Sequence, residues 1–578
     1  MIVSDKVTAF RDFGRRLSEA QWVTLGAAVF ALLFAWPILS HLGQFGAFHD
    51  WEFTTELHWV PYYTLVHYHQ FPLWNPYKCG GMPMFANPQS RLLTPFLLLH
   101  LLFGPVIGLQ LEIIAHLAIA WSGGYVLAKS IGLRRLSCVP CASVFPASSW
   151  FFLHIGEGHA VFLSATYLPW AAAFYCIAIN RRRMLPASCG GLTIALMFFE
   201  GGLYVGIFAV ILIATIFLPM VLTRGSLWPF WSAITMAIFT AGFAAIKLMP
   251  AVGFFKLYPR GFTGGEGNQW SIIRICLFSR YQDILRSGPG SFGFQEYGAY
   301  ISMAFVALAL CGSIYGWRRP LPWLMAVLVF AKISQGDIGQ HPLWNYLRSE
   351  KIFGGMLVAM RLPQRFLIGA VMAASVLAGI GAELLCTILR RSGAIIAGAL
   401  LTIGLIDSWL IGPPNLKLIF RDKSTVLDRS PQFQQMRQLG AKGNMTHVAM
   451  ANMGALECYE YTDIRTNAVG YDQPGYRGEQ HLSGPGTAKV VHWTPNALTY
   501  TINAPLPTVL IVNQNYNEGW RVSSGRGEVF ADDGLIGVRV PAGIQRLTLS
   551  YRSGPFLYGL AIGLVACAAM LLLWRYDL

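Results

Sequence analysis

The sequence predicts a polytopic α-helical membrane protein with about 12 transmembrane helices and a soluble, largely β domain near the C-terminus. Of its 578 residues, 54% are hydrophobic and only 12% are charged, which is more apolar surface than one water-soluble core can bury. Apolar runs recur along the chain, whereas strand-like alternation of apolar and polar residues is confined to its last part. Most of the chain is therefore expected to have lipid as its solvent.

The transmembrane helices are predicted where about 20 apolar residues occur together, and shorter segments are accepted where neighbouring helices shelter them. The first span follows a basic amino-terminal stretch without a clear cleavage site, so we expect it to be retained as a helix. The predicted spans are residues 22–40, 110–129, 137–153, 160–179, 187–201, 203–222, 228–248, 300–316, 320–334, 366–388, 394–411 and 556–574.

The basic residues between the spans predict the topology, because Lys and Arg concentrate in short cytoplasmic loops. With both termini in the cytoplasm, every basic cluster between spans falls inside. The apolar stretch 92–105 would invert this arrangement as a full crossing, so we expect it to form a re-entrant or interfacial helix on the outer face. The clusters are Arg134 and Arg135, Arg181 to Arg183, Arg224, Arg318 and Arg319, Arg390 and Arg391, and Arg575.

The formal net charge of +15 has the same explanation. The basic residues lie in short clusters between apolar segments and not along one face, so membrane lipid is expected as a partner and nucleic acid is not. The predicted location is the cytoplasmic (inner) membrane, with a multi-pass topology and the functional loops on the periplasmic or extracellular face.

This topology divides the chain into a transmembrane module (1–411), an outer domain (412–555) and a final helix (556–578). After about residue 488 the outer domain shows alternating strands separated by Gly, Asn and Pro turns, which indicates a mainly β structure. The part before residue 488 is compatible with an α/β arrangement. The outer loops of the transmembrane module are 41–109, 249–299 and 335–365.

The first outer loop contains the candidate catalytic residues. Asp50 and Glu52 lie about ten residues beyond the first span, so a carboxylate there is held near the membrane surface and can act as a general base on a lipid-linked substrate. Aromatic faces pack on sugar rings, and His49, Trp74 and Asn75 of this loop are candidate substrate-binding residues. The alternative is an ordinary interfacial loop whose aromatic residues form a belt. The histidines of the loop lack a ligand spacing, so no metal site is predicted.

Other outer segments add candidate residues. Glu157 and His159 are flanked by glycines in HIGEGHA, where backbone or ligand can approach closely. Arg361 and Arg365 lie four residues apart in MRLPQRF and would suit an anionic phosphate on one helix face, although arginines snorkelling to lipid headgroups are the alternative. The loop after the seventh span adds Lys256 and Arg260 as phosphate-binding candidates and Tyr281 as a substrate-binding candidate.

Several of these stretches together resemble a known family. An acidic residue soon after the first helix is followed by PLWNPYKCGGMPMFANPQSRLLTPFLLL, then by GEGHA and TYLPW, EYGAYISM, RLPQRF, NQNYNEGWRV and VRVPAG. In this order they resemble the YfhO-like branch of bacterial GT-C glycosyltransferases over nearly the whole chain. The resemblance implies transfer of a sugar from a polyprenyl-phosphate carrier to an acceptor outside the membrane. It also implies a catalytic carboxylate in the first outer loop, which Asp50 matches best and Glu52 second.

The mechanism expected from these residues is a single displacement with inversion, in which Asp50 is the base and the outer-face arginines and Lys256 stabilise the leaving phosphate. No cofactor is predicted, although Asp50, Glu52 and Glu157 are oxygen donors that a divalent metal would accept. The alternatives are a lipid-linked glycan transporter or flippase, and a noncatalytic membrane assembly subunit. A transporter would place paired ionisable residues in mid-membrane or show inverted repeats, and neither pattern is evident.

Overall fold

The first helix shows how local signals define the helix ends. It begins at Glu19 with a capping box, in which the Ser18 hydroxyl accepts from the backbone N–H of Gln21 (3.2 Å) and the Gln21 side chain accepts from the backbone N–H of Ser18 (3.0 Å). These observations come from a computed structural model that describes residues 18–46, 49–259, 267–338, 342–349, 360, 362–422, 428–437, 445–460 and 462–576.

Helices dominate the chain up to the end of the transmembrane module. In the first half they are α1 (Glu19–Phe34), α2 (Trp36–Leu39), α3 (Trp51–Tyr68), α4 (Leu97–Ser130), α5 (Cys138–Val144), α6 (Ser149–Glu157), α7 (Leu168–Arg181), α8 (Met184–Phe199), α9 (Leu203–Arg224) and α10 (Trp228–Leu257). A 3-10 helix, Ala160–Tyr167, connects α6 and α7.

Most of the later helices are shorter, apart from three long apolar helices. They are α11 (Trp270–Phe278), α12 (Phe294–Tyr297), α13 (Met303–Ser313), α14 (Leu321–Ser334), α15 (Leu343–Ser349), α16 (Leu367–Ile388), α17 (Arg390–Ile411), α18 (Met445–Met450) and α19 (Gly554–Tyr576). Two further 3-10 helices, Pro363–Phe366 and Pro413–Leu416, precede α16 and follow α17.

The predicted fold class is confirmed, since each predicted span overlaps an apolar helix. Among the described residues, 8 helical segments are long and apolar enough to cross a membrane, and the four apolar helices α1, α8, α13 and α14 are shorter. The chain is therefore a multi-pass helical membrane protein with a β-rich part near the C-terminus. The count of about 12 crossings stays a prediction.

The apolar stretch 92–105 forms a short helix that ends at a kink within α4. Gly104 has φ 79° and ψ 162°, a conformation that favours glycine, and Pro105 follows it. Leu98, Leu102 and Phe103 are 61%, 65% and 52% exposed. This apolar exposed face is what an interfacial or re-entrant helix requires, and its position in the membrane stays a prediction.

The first outer loop differs from the expectation, because α3 occupies residues 51–68 of it as an 18-residue helix. Residues 51–61 of this helix are buried on all sides. The sequence did not predict it because aromatic, His and Thr residues and Pro61 give no apolar stripe on one face. The segment is a buried helix that carries side chains to several neighbours, and not an open loop.

The strands near the C-terminus form two facing four-stranded antiparallel sheets, ordered β12–β13–β10–β7 and β11–β14–β9–β8. Leu498, Leu510, Ile536 and Leu547 alternate inward from both sheets and pack into one core. The strands are β7 (Gln480–Leu482), β8 (Thr487–Thr494), β9 (Ala497–Ala504), β10 (Thr508–Asn515), β11 (Trp520–Ser524), β12 (Glu528–Asp532), β13 (Leu535–Val540) and β14 (Gly543–Tyr551).

The polypeptide before this sandwich is mixed and joins it to the first outer segment. Strands β5 and β6 pair in parallel, with α18 between them in the sequence, and β2 pairs with β3. Strand β1 pairs with β4, although most of the transmembrane module lies between them in the sequence. The strands are β1 (Phe45–Gly46), β2 (Trp74–Asn75), β3 (Met82–Pro83), β4 (Phe420–Asp422), β5 (Gln434–Met436) and β6 (Met453–Ala455).

A disulfide between Cys79 and Cys458 strengthens this junction. The two residues are 379 positions apart in the sequence, and their Cα atoms lie 5.1 Å apart. Cys138 and Cys141, by contrast, are buried free thiols. No local pattern in the sequence indicates the pairing of Cys79 with Cys458.

Candidate active site

A cavity of about 220 Å³ lies where the start of α3, the end of α6, the 3-10 helix Ala160–Tyr167 and α12 meet. Asp50, Glu157, His159 and Arg365 line it. These predicted site residues are separated by up to some 300 positions in the sequence, and the fold brings them together. The cavity is therefore the candidate active site.

The HIGEGHA segment fixes the position of Asp50. The backbone N–H of Asp50 donates to the Glu157 carbonyl (2.9 Å), and the indole of Trp51 donates to the Ile155 carbonyl (2.9 Å). Gly158 has φ 99°, and a Cβ added there would lie 2.6 Å from the carbonyl carbon of Asp50. Gly158 thus allows direct contact between its own backbone and that of Asp50. Such a close approach is what the glycines beside Glu157 indicated.

Two of the three carboxylates in the described cavity lining, those of Asp50 and Glu157, have a histidine partner. His159 Nε2 lies 3.3 Å from Asp50 Oδ2, and His49 Nδ1 lies 2.5 Å from Glu157 Oε2. Burial disfavours the charged imidazole of His159, but the hydrogen bond to Asp50 and the charge of Glu296 outweigh burial and raise the pKa of His159 above its ordinary value. The contact with Asp50 is therefore a hydrogen bond in which His159 holds its proton more tightly than a free histidine does.

Arg365 lies on the cavity wall as part of an ion pair. Its Nε and Nη2 donate to the two carboxylate oxygens of Glu296, both at 2.7 Å. The rings of Phe162 and Tyr204 lie 5.0 and 5.4 Å from the guanidinium carbon. The bidentate geometry and the rings fix the orientation of this arginine.

Arg91 is a second cationic wall residue, which the sequence interpretation missed. Only 4% of Arg91 is exposed, and its guanidinium contacts Glu112 and lies 3.6 Å from Glu200. Because these carboxylates come from α4 and the end of α8, no local spacing relates them to Arg91. The outer position of an arginine between apolar segments was the one available signal.

His58 lies beside Arg91 as a neutral imidazole. Burial, with a contribution from His100, lowers the pKa of His58 to about 3. His58 Nδ1 lies 2.7 Å from the carbonyl of Thr54, so this nitrogen carries the proton and donates it. The Nε2 lone pair then faces Nη1 of Arg91 at 3.5 Å.

Further wall residues were also absent from the sequence prediction. They add aromatic rings and amide groups to the carboxylates. They are Thr54, Gln89, Tyr204, Phe292, Gln295, Glu296 and Tyr459. Gln89 and Glu296 lie in stretches that carry the family resemblance, but nothing in those stretches marked them as wall residues.

The second predicted catalytic residue, Glu52, lies outside this cavity, which corrects the sequence interpretation. Two positions along a helix change the direction of a side chain by about 200°, and Glu52 points towards α18. Its carboxylate accepts from the backbone N–H of Thr446 (3.2 Å) and lies 3.3 Å from His447 Nδ1. Glu52 therefore joins α3 to α18 instead of facing the substrate.

The predicted residues Trp74 and Asn75 are structural. The Trp74 indole donates to Gln514 (2.9 Å), and its ring packs against Trp520 in the core of the β sandwich. The Asn75 side chain donates to Glu56 (2.7 Å) and is fully buried. A buried ring has no free face for a sugar, so the aromatic surface predicted at Trp74 is absent from the described structure.

The remaining predicted residues lie elsewhere. Tyr281 is 73% exposed, with Arg286 over its ring at 5.6 Å, and it does not line the cavity. Lys256 lines a different cavity. Arg260 and Arg361 lie outside the described residues.

Asp50, Glu157 and His159 also have ligand atoms within 4.8 Å of one another, which is close enough to surround one metal ion. Two carboxylate oxygens and one imidazole nitrogen suit Mn²⁺ or Zn²⁺. A metal ligand must be a neutral imidazole, so an ion held here would take the place of the contact between His159 and Asp50.

The fold and the cavity together define a multi-pass membrane protein with an acidic, aromatic-walled cavity at the junction with its β-rich part. No protein-family model matches the sequence, and no curated protein matches it. Among solved structures, the chain is similar to the arabinofuranosyltransferase AftD from mycobacteria, determined by cryo-EM, with a TM-score of 0.48 and 14% identity. The similarity covers 78% of this chain and 32% of that chain, so this chain spans about a third of the length of that protein.

Proposed function

We propose that the chain is a GT-C-type membrane glycosyltransferase that moves a sugar from a polyprenyl-phosphate-linked donor to a glycan, lipid or polymer acceptor outside the cytoplasmic membrane. One observation carries this proposal: the Asp50 carboxylate lines a cavity whose walls include Tyr204, Phe292 and Tyr459. Carboxylates accept hydrogen bonds from sugar hydroxyls, and aromatic rings pack on the apolar faces of sugars. The sequence resemblance assigns the catalytic role to the same carboxylate.

The proposed reaction is a single displacement. Asp50 takes the proton of an acceptor hydroxyl while the hydroxyl oxygen attacks the anomeric carbon of the donor. The bond from that carbon to the phosphate oxygen breaks, and its electron pair leaves with the polyprenyl phosphate, so the configuration inverts. His159, whose Nε2 lies 3.3 Å from Asp50 Oδ2, orients the Asp50 carboxylate before each transfer.

Arg365 is the proposed contact for the phosphate. Glu296 holds the guanidinium in place before the donor binds, which reduces the entropy lost on binding. As charge grows on the departing phosphate, one hydrogen bond to Glu296 is exchanged for one to a phosphate oxygen. Glu157, fixed by His49, orients a sugar hydroxyl.

The disulfide supports an extracytoplasmic position for the cavity. Tyr459, a cavity wall residue, directly follows Cys458 in the sequence. Disulfides persist in oxidising compartments and are rare in the cytosol. The proposed active site therefore faces the periplasm or the exterior, as the distribution of basic loops predicts.

The experiment that tests the proposal compares Asp50→Asn with Glu52→Gln in the purified full chain reconstituted in lipid. Transfer from a panel of radiolabelled polyprenyl-phosphate sugars to envelope acceptors is measured. Loss of a general base lowers the rate about 100-fold or more, so we expect this loss for Asp50→Asn. Glu52→Gln removes a carboxylate two positions away and should retain transfer.

Two outcomes would contradict the proposal. Equal transfer by Asp50→Asn and the unmodified chain would remove Asp50 from the mechanism. Absence of transfer from every donor, together with movement of a fluorescent lipid-linked glycan across the bilayer, would favour the flippase alternative.

A further inference from the structure

A second cavity, of about 490 Å³, lies where the outer end of α10, the β sandwich and the start of α19 meet. Pro250 and Gly253 of α10 form one wall, and Gly554 and Pro555 of α19 form the opposite wall. It shares no lining residue with the candidate active site among the described residues. Since α10 and α19 are apolar helices, this cavity lies at the level where they leave the membrane.

The charge of this second cavity is predominantly positive. Lys256, Arg521 and Arg552 line it, and Glu518 is the acidic residue in the described lining. Within the described part of the chain, the three basic side chains have no ion pair or side-chain hydrogen bond, in contrast to Arg91 and Arg365 in the first cavity. The three cations are exposed and free to bind an anion.

An apolar groove of about 650 Å³ lies below this cavity, between α8, α10 and α19. On α10, Ile246 of the groove and Pro250 of the cavity are four residues apart, a separation of about 6 Å along a helix. The groove continues along α19 past Gly563 to Trp574, near the other end of that helix. A polar cavity with basic residues thus stands one helical turn above an apolar groove that runs about 21 Å along α19, from Leu560 to Trp574.

We propose that this cavity and groove form a binding site for an anionic membrane lipid, separate from the candidate active site. The phosphate of the lipid lies among Lys256, Arg521 and Arg552, and its hydrocarbon chain lies in the groove beside Gly563. Basic residues near a membrane surface attract anionic lipids, whereas a soluble anion would gain nothing from the groove. The site also explains why basic residues occur on the side of the membrane that the positive-inside preference disfavours in the proposed topology.

The headgroup part is tested with the triple variant Lys256→Ala, Arg521→Ala and Arg552→Ala. The control is Lys489→Ala, Arg526→Ala and Arg546→Ala, which removes the same charge from exposed positions of the same sandwich. Native mass spectrometry of the full chain measures retention of added phosphatidylglycerol and phosphatidylcholine. Each basic residue near an anionic lipid contributes about 1 kcal/mol, so the triple variant should bind phosphatidylglycerol at least about tenfold more weakly. The control should match the unmodified chain.

The groove part is tested with Gly563→Phe. A Cβ at Gly563 would have only the Gly242 carbonyl oxygen nearby, at 3.9 Å, so the ring fills the groove without disturbing the backbone. We expect this variant to lose long-chain phosphatidylglycerol and to retain the dihexanoyl form. Leu405→Phe, in a separate apolar groove between α1 and α17, is the matched control.

Three results would overturn the inference. Equal phosphatidylglycerol retention by the two triple variants would show that Lys256, Arg521 and Arg552 form no headgroup site. Equal retention of phosphatidylcholine would show that charge is not recognised, and competition by inorganic phosphate at the same concentration would show a site for soluble anions. None of these measurements depends on sugar transfer, so the lipid site stands or falls independently of the proposed function.

Discussion

The position of Gly158 has two requirements that only glycine, among the amino acids, meets. Its φ of 99° is disfavoured for residues with a Cβ, and its Cα hydrogen faces the backbone of Asp50. The geometry of the candidate base therefore depends on a residue that has no side chain.

Gly158→Ala should lower the transfer rate at least about tenfold, because displacement of a reacting group by about 1 Å can cost 100-fold. The measurement is the sugar-transfer assay, with thermal unfolding as a check on folding. Gly132→Ala is the control, because Gly132 has φ 85° but nothing within 4 Å of an added Cβ. Equal losses in both variants would assign the effect to backbone strain and not to Asp50.

Glu479 gives a prediction of pH dependence. Burial raises the pKa of Glu479 to about 7 from its ordinary value of 4.5, although the Gln435 N–H and the Tyr476 hydroxyl donate to its carboxylate. Because the folded-state pKa is raised, its contribution to stability is fully present below pH 4.5 and is lost as the pH rises through about 7.

Glu479→Gln should therefore unfold at a higher temperature than the unmodified chain at pH 8 and at a similar temperature at pH 5. Thermal unfolding of the full chain by intrinsic fluorescence at the two pH values measures this difference. Glu528→Gln, at an exposed carboxylate on β12, is the control and should show no such dependence on pH. The prediction would be contradicted if the unfolding temperatures of Glu479→Gln and the unmodified chain differed by the same amount at pH 5 and at pH 8.

At the residue scale, the sequence predicted contacts between residues that are close in the chain. It did not predict the direction in which a side chain points. The GEGHA segment identified Glu157 and His159 because glycines flank both residues. Glu52 was placed in the site because it lies close to Asp50 in the sequence, and Trp74 because aromatic faces pack on sugar rings. The burial of Glu52 against α18 and of Trp74 in the sandwich depends on segments more than 350 residues away, which no local pattern contains.

Lys247, in α10, links a transmembrane helix to a wall of the candidate active site. Its ammonium donates to the carbonyls of Phe85 (3.1 Å), Asn87 (2.8 Å) and Ser90 (2.9 Å) and to the Ser90 hydroxyl (2.6 Å). The segment held in this way continues into Gln89 and Arg91 of the cavity. The three N–H donors of one side chain are thus shared among four buried acceptors that no secondary structure pairs.

Lys247→Met should destabilise the chain by about 3 kcal/mol or more, because each unsatisfied buried acceptor costs about 1–3 kcal/mol. Thermal unfolding measures the loss, and Lys129→Met, at a half-exposed lysine near the end of α4, is the control. Added ethylammonium should partly restore the stability of Lys247→Ala, since it supplies the missing donor. A Lys247→Met chain as stable as the control would show that the segment needs no ammonium.

Helices with an apolar signal were predictable, and helices without one were not. The predicted spans overlap apolar helices because lipid and buried interfaces select the same residue types. Helix α3 was missed because its residues 51–61 are buried by segments from other parts of the chain, among them α4, α18 and the end of α6. Its environment is created by tertiary structure, and its own composition predicts a loop.

At the scale of the whole molecule, the outer parts are joined by contacts between segments that lie before and after most of the transmembrane module in the sequence. The disulfide Cys79–Cys458, the β1–β4 pairing and the insertion of Trp74 into the sandwich all connect residues 45–79 with residues beyond 420. The sequence predicted two outer regions, but their attachment depends on contacts between distant segments. The architecture was therefore predictable in its parts and not in its assembly.

Removal of the disulfide in the double variant Cys79→Ala and Cys458→Ala should lower the free energy of unfolding by about 2–5 kcal/mol. Thermal unfolding with and without reductant measures the effect. The unmodified chain should become less stable when reduced, and the double variant should not respond. Cys567→Ala, at an exposed free thiol, should behave as the unmodified chain, and a double variant that still responds to reductant would contradict the assignment.

The long separation between Cys79 and Cys458 also determines when the cavity is completed during synthesis. At about 5–20 residues per second, the ribosome needs on the order of half a minute to make the 379 positions between the two cysteines. Through that interval the segment with Asp50 exists without Tyr459, a wall residue that is synthesised late. A chain interrupted after α17 would lack both Tyr459 and α19, so the cavity of the candidate active site would be open on one side.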